Sequence, residues 1–126
     1  AVSLTLSGPE FRGDRGAEVA VLTLHAEPLG PPTVRVVEVA GTPLLRPEDG
    51  GAGWPVDLTV DGPMDVPLAA APNRCDPHGV ADDKVGTRFR VTVELTDDGA
   101  TGQVVVAADD TQRSELYRYL TRRCGT

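Results

Sequence analysis

The feature that most constrains this chain is a period of two. Phe89, Val91, Val93 and Leu95 alternate with Arg88, Arg90, Thr92 and Glu94. Successive side chains of a β-strand leave on opposite faces, so this segment has one apolar face and one wet face. Residues 87–95 are therefore expected to form a core strand. Val2, Leu4 and Leu6 alternate with Ser3, Thr5 and Ser7 in the same way, and Val56-Asp57-Leu58-Thr59-Val60 repeats the pattern. Val19 to Leu24 is almost continuously apolar, which suits a central strand covered on both faces. Thr33 to Val39 is rich in β-branched residues and reads as another strand.

Turn formers separate these runs. Phe11-Arg12-Gly13-Asp14-Arg15-Gly16, Pro28-Leu29-Gly30-Pro31-Pro32, Gly41-Thr42-Pro43 and Asp61-Gly62-Pro63 each break the alternation. Leu44 and Leu45 form a short edge strand, and residues 46–55, with Trp54 among them, read as loop. Asp61-Gly62-Pro63 is expected to fold 64–68 back on 56–60 as a hairpin, and Asp97-Asp98-Gly99 to fold 103–108 back on 87–95. About seven short strands with no helix between them predict an all-β, immunoglobulin-like antiparallel β-sandwich. The 126 residues are the length of one domain, and no internal repeat or linker divides them.

The period changes near the C-terminus. Asp109, Asp110 and Thr111 are N-cap choices, Glu115 stands near the positive helix end, Arg122 and Arg123 fall in the last turn, and Gly125 follows. The spacing predicts a helix over about 111–123, with Leu116, Tyr117, Leu120 and Cys124 as its buried stripe. Arg113, Arg118, Arg122 and Arg123 read mostly as its solvated face.

Two cysteines, Cys75 and Cys124, stand far apart and outside any Cys-x-x-Cys pair. A disulfide between them fits better than a zinc site or two free buried thiols, and it would tie the helix to the irregular stretch 69–86. Its closed loop of about fifty residues would stabilise the fold by at most roughly 4 kcal/mol. Disulfides persist in oxidising compartments, so the expected setting is secreted or cell-surface, with any targeting segment already removed. The net charge of −7 argues against nucleic acid, which draws affinity from phosphate neutralisation, and against anionic membrane surfaces. No apolar run approaches the ~20 residues of a membrane-spanning helix.

The richest polar cluster is residues 73–84, where Asp76, His78, Asp82 and Asp83 form the candidate loop site. Their spacing lacks the Asp-x-Asp-x-Asp-Gly order of a calcium loop, and Cys75 as a disulfide cannot be a thiolate ligand. The expectation is no metal and no cofactor there, with Asp76 capping a turn and Pro77 stiffening a clamp. His25, the other histidine, ends an apolar strand and is expected to have a structural role. No nucleophile elbow, metalloprotease helix, phosphate loop or dinucleotide glycine pattern is present, so no catalytic residue is assigned. Arg12-Gly13-Asp14 spells an integrin-recognition tripeptide, but with eleven Arg, fourteen Gly and twelve Asp it arises readily by chance and reads as a turn. Trp54 is either an exposed contact residue or folded over the core edge.

Residues 74–87, beginning Arg74-Cys75-Asp76-Pro77-His78-Gly79, together with Leu116-Tyr117-Arg118-Tyr119-Leu120 and Cys124-Gly125, resemble uncharacterised secreted or lipid-anchored proteins of actinobacteria. The resemblance covers about the last half of the chain and implies export and a cell-surface setting. It implies no activity. The leading expectation is a non-enzymatic extracytoplasmic module that binds another protein or a cell-envelope component, or serves as an accessory domain of a larger surface assembly. The alternatives are a metal-dependent or carboxylate enzyme with its site at 73–84, and a small-molecule carrier with a cavity between the sheets.

Overall fold

The computed structural model describes residues 2–14, 16–73, 75 and 86–124. Among them are eight strands and one helix: β1 (Val2–Arg12), β2 (Val19–Pro28), β3 (Val34–Ala40), β4 (Leu45–Pro47), β5 (Gly53–Val60), β6 (Met64–Pro72), β7 (Arg88–Leu95), β8 (Thr101–Ala107) and α1 (Asp110–Cys124). The strands form two antiparallel four-stranded sheets, in the orders β1-β2-β6-β4 and β5-β3-β7-β8. The fold is an all-β sandwich.

Leu22, Leu24, Leu68, Val36, Phe89 and Val91 fill the space between the sheets, each no more than 1% exposed. The expectation for β7 holds at its first half. Phe89 and Val91 are buried while Arg88 and Arg90 are exposed; Val93 and Leu95 are half-buried where the strand runs out of the sandwich. The turn at 97–99 closes as expected, with Gly99 N–H donating to Leu95 O (2.9 Å) and Leu95 N–H to Ala100 O (2.8 Å). The Asp98 carboxylate accepts from Ala100 N–H at 2.9 Å.

The hairpin expected at Asp61-Gly62-Pro63 does not form. The turn instead carries the chain from β5 in one sheet to β6 in the other. β6 pairs with β2 over seven residues, Ala20↔Ala70 to Ala26↔Met64. In that position Leu68 and Ala70 are buried, which pairing with the edge strand β5 would not achieve. Turn residues dictate where the chain reverses, while burial decides what it pairs with. Pro67 is compatible with this place. Ala69 O accepts from Glu48 N–H and from the Trp54 indole, so residues 67 and 69 point their backbone groups away from β2. The N–H that proline lacks would have faced that side, where β4 pairs only with residues 70–72.

Trp54 is a second correction. It lies not in a loop but in β5, opposite Val39, and is 8% exposed. Its Nε1–H donates to Ala69 O at 3.0 Å, and its ring meets Phe89 edge to face at 6.2 Å between centroids. The glycines before it, read as loop formers, permit this: a Cβ on Gly53 would sit 2.8 Å from Val39 O, so only glycine lets the two strands approach. The alternation of 56–60 is also interrupted. The β3–β5 register shifts between Val36 and Glu38, and Asp57 takes a positive φ of 53°.

β1 runs to Arg12, beyond the expected stop at Ser7, because a bulge absorbs Gly8 and Pro9 before pairing resumes at Glu10↔Val21. Gly8 has φ of +92°, and a Cβ there would lie 2.9 Å from Val21 O. Arg12-Gly13-Asp14 then forms the start of the β1–β2 turn, with Asp14 O accepting from Ala17 N–H at 2.9 Å.

α1 begins with a reciprocal cap. Asp109 Oδ1 accepts from Gln112 N–H (2.7 Å) and Gln112 Oε1 from Asp109 N–H (2.9 Å). Its buried residues are Gln112, Leu116, Tyr119 and Leu120, so Tyr119 and not Tyr117 anchors the stripe. Tyr119 stacks on Phe11 at 5.6 Å, and its hydroxyl donates to Glu18 O at 2.7 Å. A phenol so placed has its polar tip satisfied by a main-chain carbonyl, and the helix is turned by about one position to reach it. The arginines also divide. Arg113 and Arg118 are exposed, whereas Arg122 pairs with Glu18 (2.9 Å) and lies over Phe11, and Arg123 Nε–H donates to Glu18 O.

Two measurements test this packing. Phe89→Ala or Val91→Ala should cost about 2 to 5 kcal/mol in urea unfolding and Arg90→Ala well under 1; equal losses would mean that the register is wrong. Burial pushes the Tyr119 hydroxyl above its ordinary value of 10.0, with Arg123 opposing and Glu18 adding to the shift. A folded-state value above the unfolded one means that Tyr119 stabilises fully below about pH 10. That contribution falls as pH rises through the folded-state value. Wild type should therefore lose stability relative to Tyr119→Phe between about pH 10 and 12, and parallel curves would refute the assignment.

Candidate functional site

Asp76, His78, Asp82 and Asp83 lie outside the described residues, as does most of the 73–84 clamp. Only Asn73 and Cys75 of it are described. Cys75 is joined to Cys124 by a disulfide with Cα atoms 5.3 Å apart, so the chain leaving β6 is tied to the last turn of α1. Asn73 prepares this end: its N–H donates to Leu44 O (2.7 Å) and its Nδ2 to Thr42 O (3.1 Å). Thr42, itself buried, donates through Oγ1 to Gly86 O at 2.7 Å and accepts from the N–H groups of Leu44 and Leu45. One buried hydroxyl thus joins the 41–45 turn to the start of the segment that leads into β7.

The first candidate surface is the edge of β8. An edge strand offers unpaired N–H and C=O groups to any extended chain, and natural sheets normally blunt such edges. Three of the four edges here are blunted. β1 carries the Gly8-Pro9 bulge, and α1 covers it, the Gln112 amide donating to Leu6 O at 3.0 Å. β4 is three residues long and ends in Pro47. β5 contains Pro55 and the irregularity at Asp57. β8 has none of these devices. It is seven residues, Thr-Gly-Gln-Val-Val-Val-Ala, without charge or proline, and its residues 101–105 are exposed. It pairs with β7 along its whole length and on one side only. Val104 is 40% and Val105 49% exposed, although Val104 stands opposite fully buried Val91. Exposed Arg88 and Arg90 flank it on the outer face of β7, opposite Ala107 and Val105.

The second is a polar chain on the outer face of the other sheet. His25 stands opposite Thr5 on one side and Asp65 on the other, and Ser7 is one pair further along β1. Its Nδ1 lies 2.5 Å from Asp65 Oδ1 and its Nε2 2.7 Å from Ser7 Oγ. A carboxylate accepts, so this geometry suits Nδ1–H as the donor to Asp65 and Nε2 as the acceptor of the Ser7 hydroxyl. A shallow cavity of about 230 Å³ opens beside the ring, lined by Ser3, Thr5, Ala26, Glu27, Pro63 and Met64 together with His25 and Asp65.

Neither surface was singled out from the sequence. β8 was expected as a strand, but which strand ends a sheet is not visible along the chain. His25 was expected to be structural, and its partners are 18 and 40 residues away. The signal that could have been used is the outward phase of Ser7, His25 and Asp65, all polar positions in alternating runs. Among the described residues no three His, Cys, Asp or Glu side chains gather in a group able to hold a metal ion, and no helix is long and apolar enough to cross a membrane. Known protein families, curated proteins and solved structures yield no match to this chain.

The disulfide gives this region its test. Reduction should raise amide exchange in α1 while β2, β3 and β7 stay protected, because the sheets retain their own core. Simultaneous loss of protection in helix and sheets would show that the disulfide holds the sandwich itself.

Proposed function

We propose that this chain is an extracytoplasmic binding module that captures an extended segment of a partner protein as an added strand beside β8. The observation that carries this reading is the asymmetry of the edges: three are obstructed and the fourth is long, uncharged and, among the described residues, hydrogen-bonded on one side only. Strand addition draws its affinity from main-chain hydrogen bonds and its selectivity from alternate side chains. An incoming strand would cover Val104 on its inward phase. On its outward phase its side chains would stand two strand spacings, about 10 Å, from Arg88 and Arg90, within reach of an arginine. The fitting partner segment alternates β-branched apolar residues with carboxylates. A second copy of this chain fits less well, since two bodies of net charge −7 repel and β8 itself brings no acid to the arginines.

The setting rests on the Cys75–Cys124 disulfide, which persists in an oxidising compartment, and on the likeness of 74–87 and 116–125 to secreted or lipid-anchored actinobacterial proteins. The strand orders support an immunoglobulin-like variant of the sandwich. β1-β2-β6-β4 and β3-β7-β8 correspond to the ABED and CFG sheets of that fold. β5 takes the place beside β3, but enters the chain after β4 and not before it. Against the carrier reading, the space between the sheets is occupied by the core side chains.

A soluble peptide of alternating Val and Glu, titrated into isotopically labelled protein, tests the proposal. Amide shifts and new exchange protection confined to 101–107 are expected, with binding weakened at least tenfold by Val104→Lys or by Arg88→Glu combined with Arg90→Glu. Perturbation elsewhere, or none at millimolar peptide, would overturn it, as would self-association through β8 that excludes the peptide.

A further inference from the structure

We propose that Ser7 is a nucleophile for acyl transfer from small esters, with His25 as its general base and Asp65 as the residue that positions the imidazole. The proposal is independent of strand capture at β8, which lies on the other sheet. Three requirements of an activated serine are met. The hydroxyl is within hydrogen-bond reach of a base, Ser7 Oγ to His25 Nε2 at 2.7 Å. The base is held in the useful tautomer by a carboxylate, Nδ1 to Asp65 Oδ1 at 2.5 Å. The three side chains come from three hydrogen-bonded neighbours, β1, β2 and β6, so the pairing Thr5↔His25↔Asp65 sets their spacing.

The surroundings admit a substrate. Ser7 is exposed, and the His25 and Asp65 side chains are 39% and 68% exposed, so an ester carbonyl can approach Oγ from solvent. The cavity of about 230 Å³ adjoins His25 and Asp65, with Ala26, Pro63 and Met64 as its apolar lining and Ser3, Thr5 and Glu27 as its polar rim; Ser7 itself lies outside this lining, one pair further along β1, where Oγ faces solvent. The residue after the nucleophile, Gly8, stands in the bulge and has no opposite partner in the β1–β2 register.

In the acylation step Ser7 Oγ bonds to the ester carbonyl carbon while its proton passes to His25 Nε2. Collapse of the tetrahedral species breaks the carbon–alkoxy bond, and the imidazolium returns the proton to the departing alkoxide. Water then adds to the acyl carbon, gives its proton to Nε2, and displaces Ser7 Oγ, which takes the proton back. Acid and alcohol are the products, and no oxidant or cofactor is consumed.

The exposed site is aimed at activated esters, and p-nitrophenyl acetate is the probe. Mass spectrometry of the full chain under turnover should find acetyl on Ser7. Ser7→Ala and His25→Gln should each lower kcat/KM about 10²-fold, the smaller end of a general-base contribution. Asp65→Asn should lower kcat while leaving KM unchanged, the mark of a residue that acts through the imidazole and not on the substrate. All three are surface changes, and thermal unfolding verifies that each variant is folded. A fluorophosphonate should label Ser7 in wild type and not in His25→Gln. Hydrolysis unaffected by Ser7→Ala, or acetyl and phosphonyl groups found only on other residues, would overturn the proposal.

Discussion

Burial between the two sheets is the interaction on which the remainder depends. Leu22, Leu24 and Leu68 from one sheet meet Val36, Phe89 and Val91 from the other, and no single strand could hide its apolar face without the opposite layer. That demand explains the path of the chain. Among the described strands, only β1–β2 and β7–β8 are hairpins between consecutive strands; the other strands that follow one another in the chain lie in opposite sheets. The crossing at 61–63 illustrates the ordering of effects. A strong local turn signal was overruled because β6 buries Leu68 and Ala70 beside β2.

The helix closes what the sheets leave open. α1 covers the β1 edge, places Tyr119 against Phe11, and brings Arg122 and Arg123 onto Glu18. Fifteen residues are marginal as an isolated helix; the cap at Asp109, the apolar stripe and the disulfide to Cys75 act at its beginning, middle and end. The same closure has a consequence for binding, since it removes β1 as an edge and leaves β8, among the described strands, hydrogen-bonded on one side only and without a blunting device.

The outer faces show how a polar position acquires meaning. Arg35 spans β3 to Glu94 on β7 and to Asp57 on β5, a half-buried ion-pair ladder that ends on the exposed Asp57. Ser7, His25 and Asp65 form the corresponding ladder on the other sheet, with a titratable ring at its centre. The two ladders have the same structural origin, cross-strand neighbours on a wet face. They differ in chemistry because a serine hydroxyl hydrogen-bonded to an imidazole can lose its proton to it, whereas a guanidinium between carboxylates has none to accept.

Local pattern sufficed for the strands at 2–7, 19–24, 33–39 and 87–95, for the turn at 97–99, for the helix and for the pairing of the only two cysteines, because alternation, turn chemistry and capping act over a few residues. It failed for the strand that carries Trp54, for Tyr119 and for the partner of β6. In each case the deciding contact lies far along the chain: Ala69 O for the indole, Glu18 O for the phenol, β2 for the strand. Asp76, His78, Asp82 and Asp83 stood out in the sequence by density alone. The edge of β8 and the Ser7–His25–Asp65 chain did not stand out at all, since strand order and cross-strand register bring distant residues within hydrogen-bond reach. The sequence by itself determined which residues form strands and which face of each is apolar, through the two-residue period of the backbone. Only the tertiary structure decided which strands became neighbours and which edge stayed open, because burial in a two-layer core is a property of all the strands together.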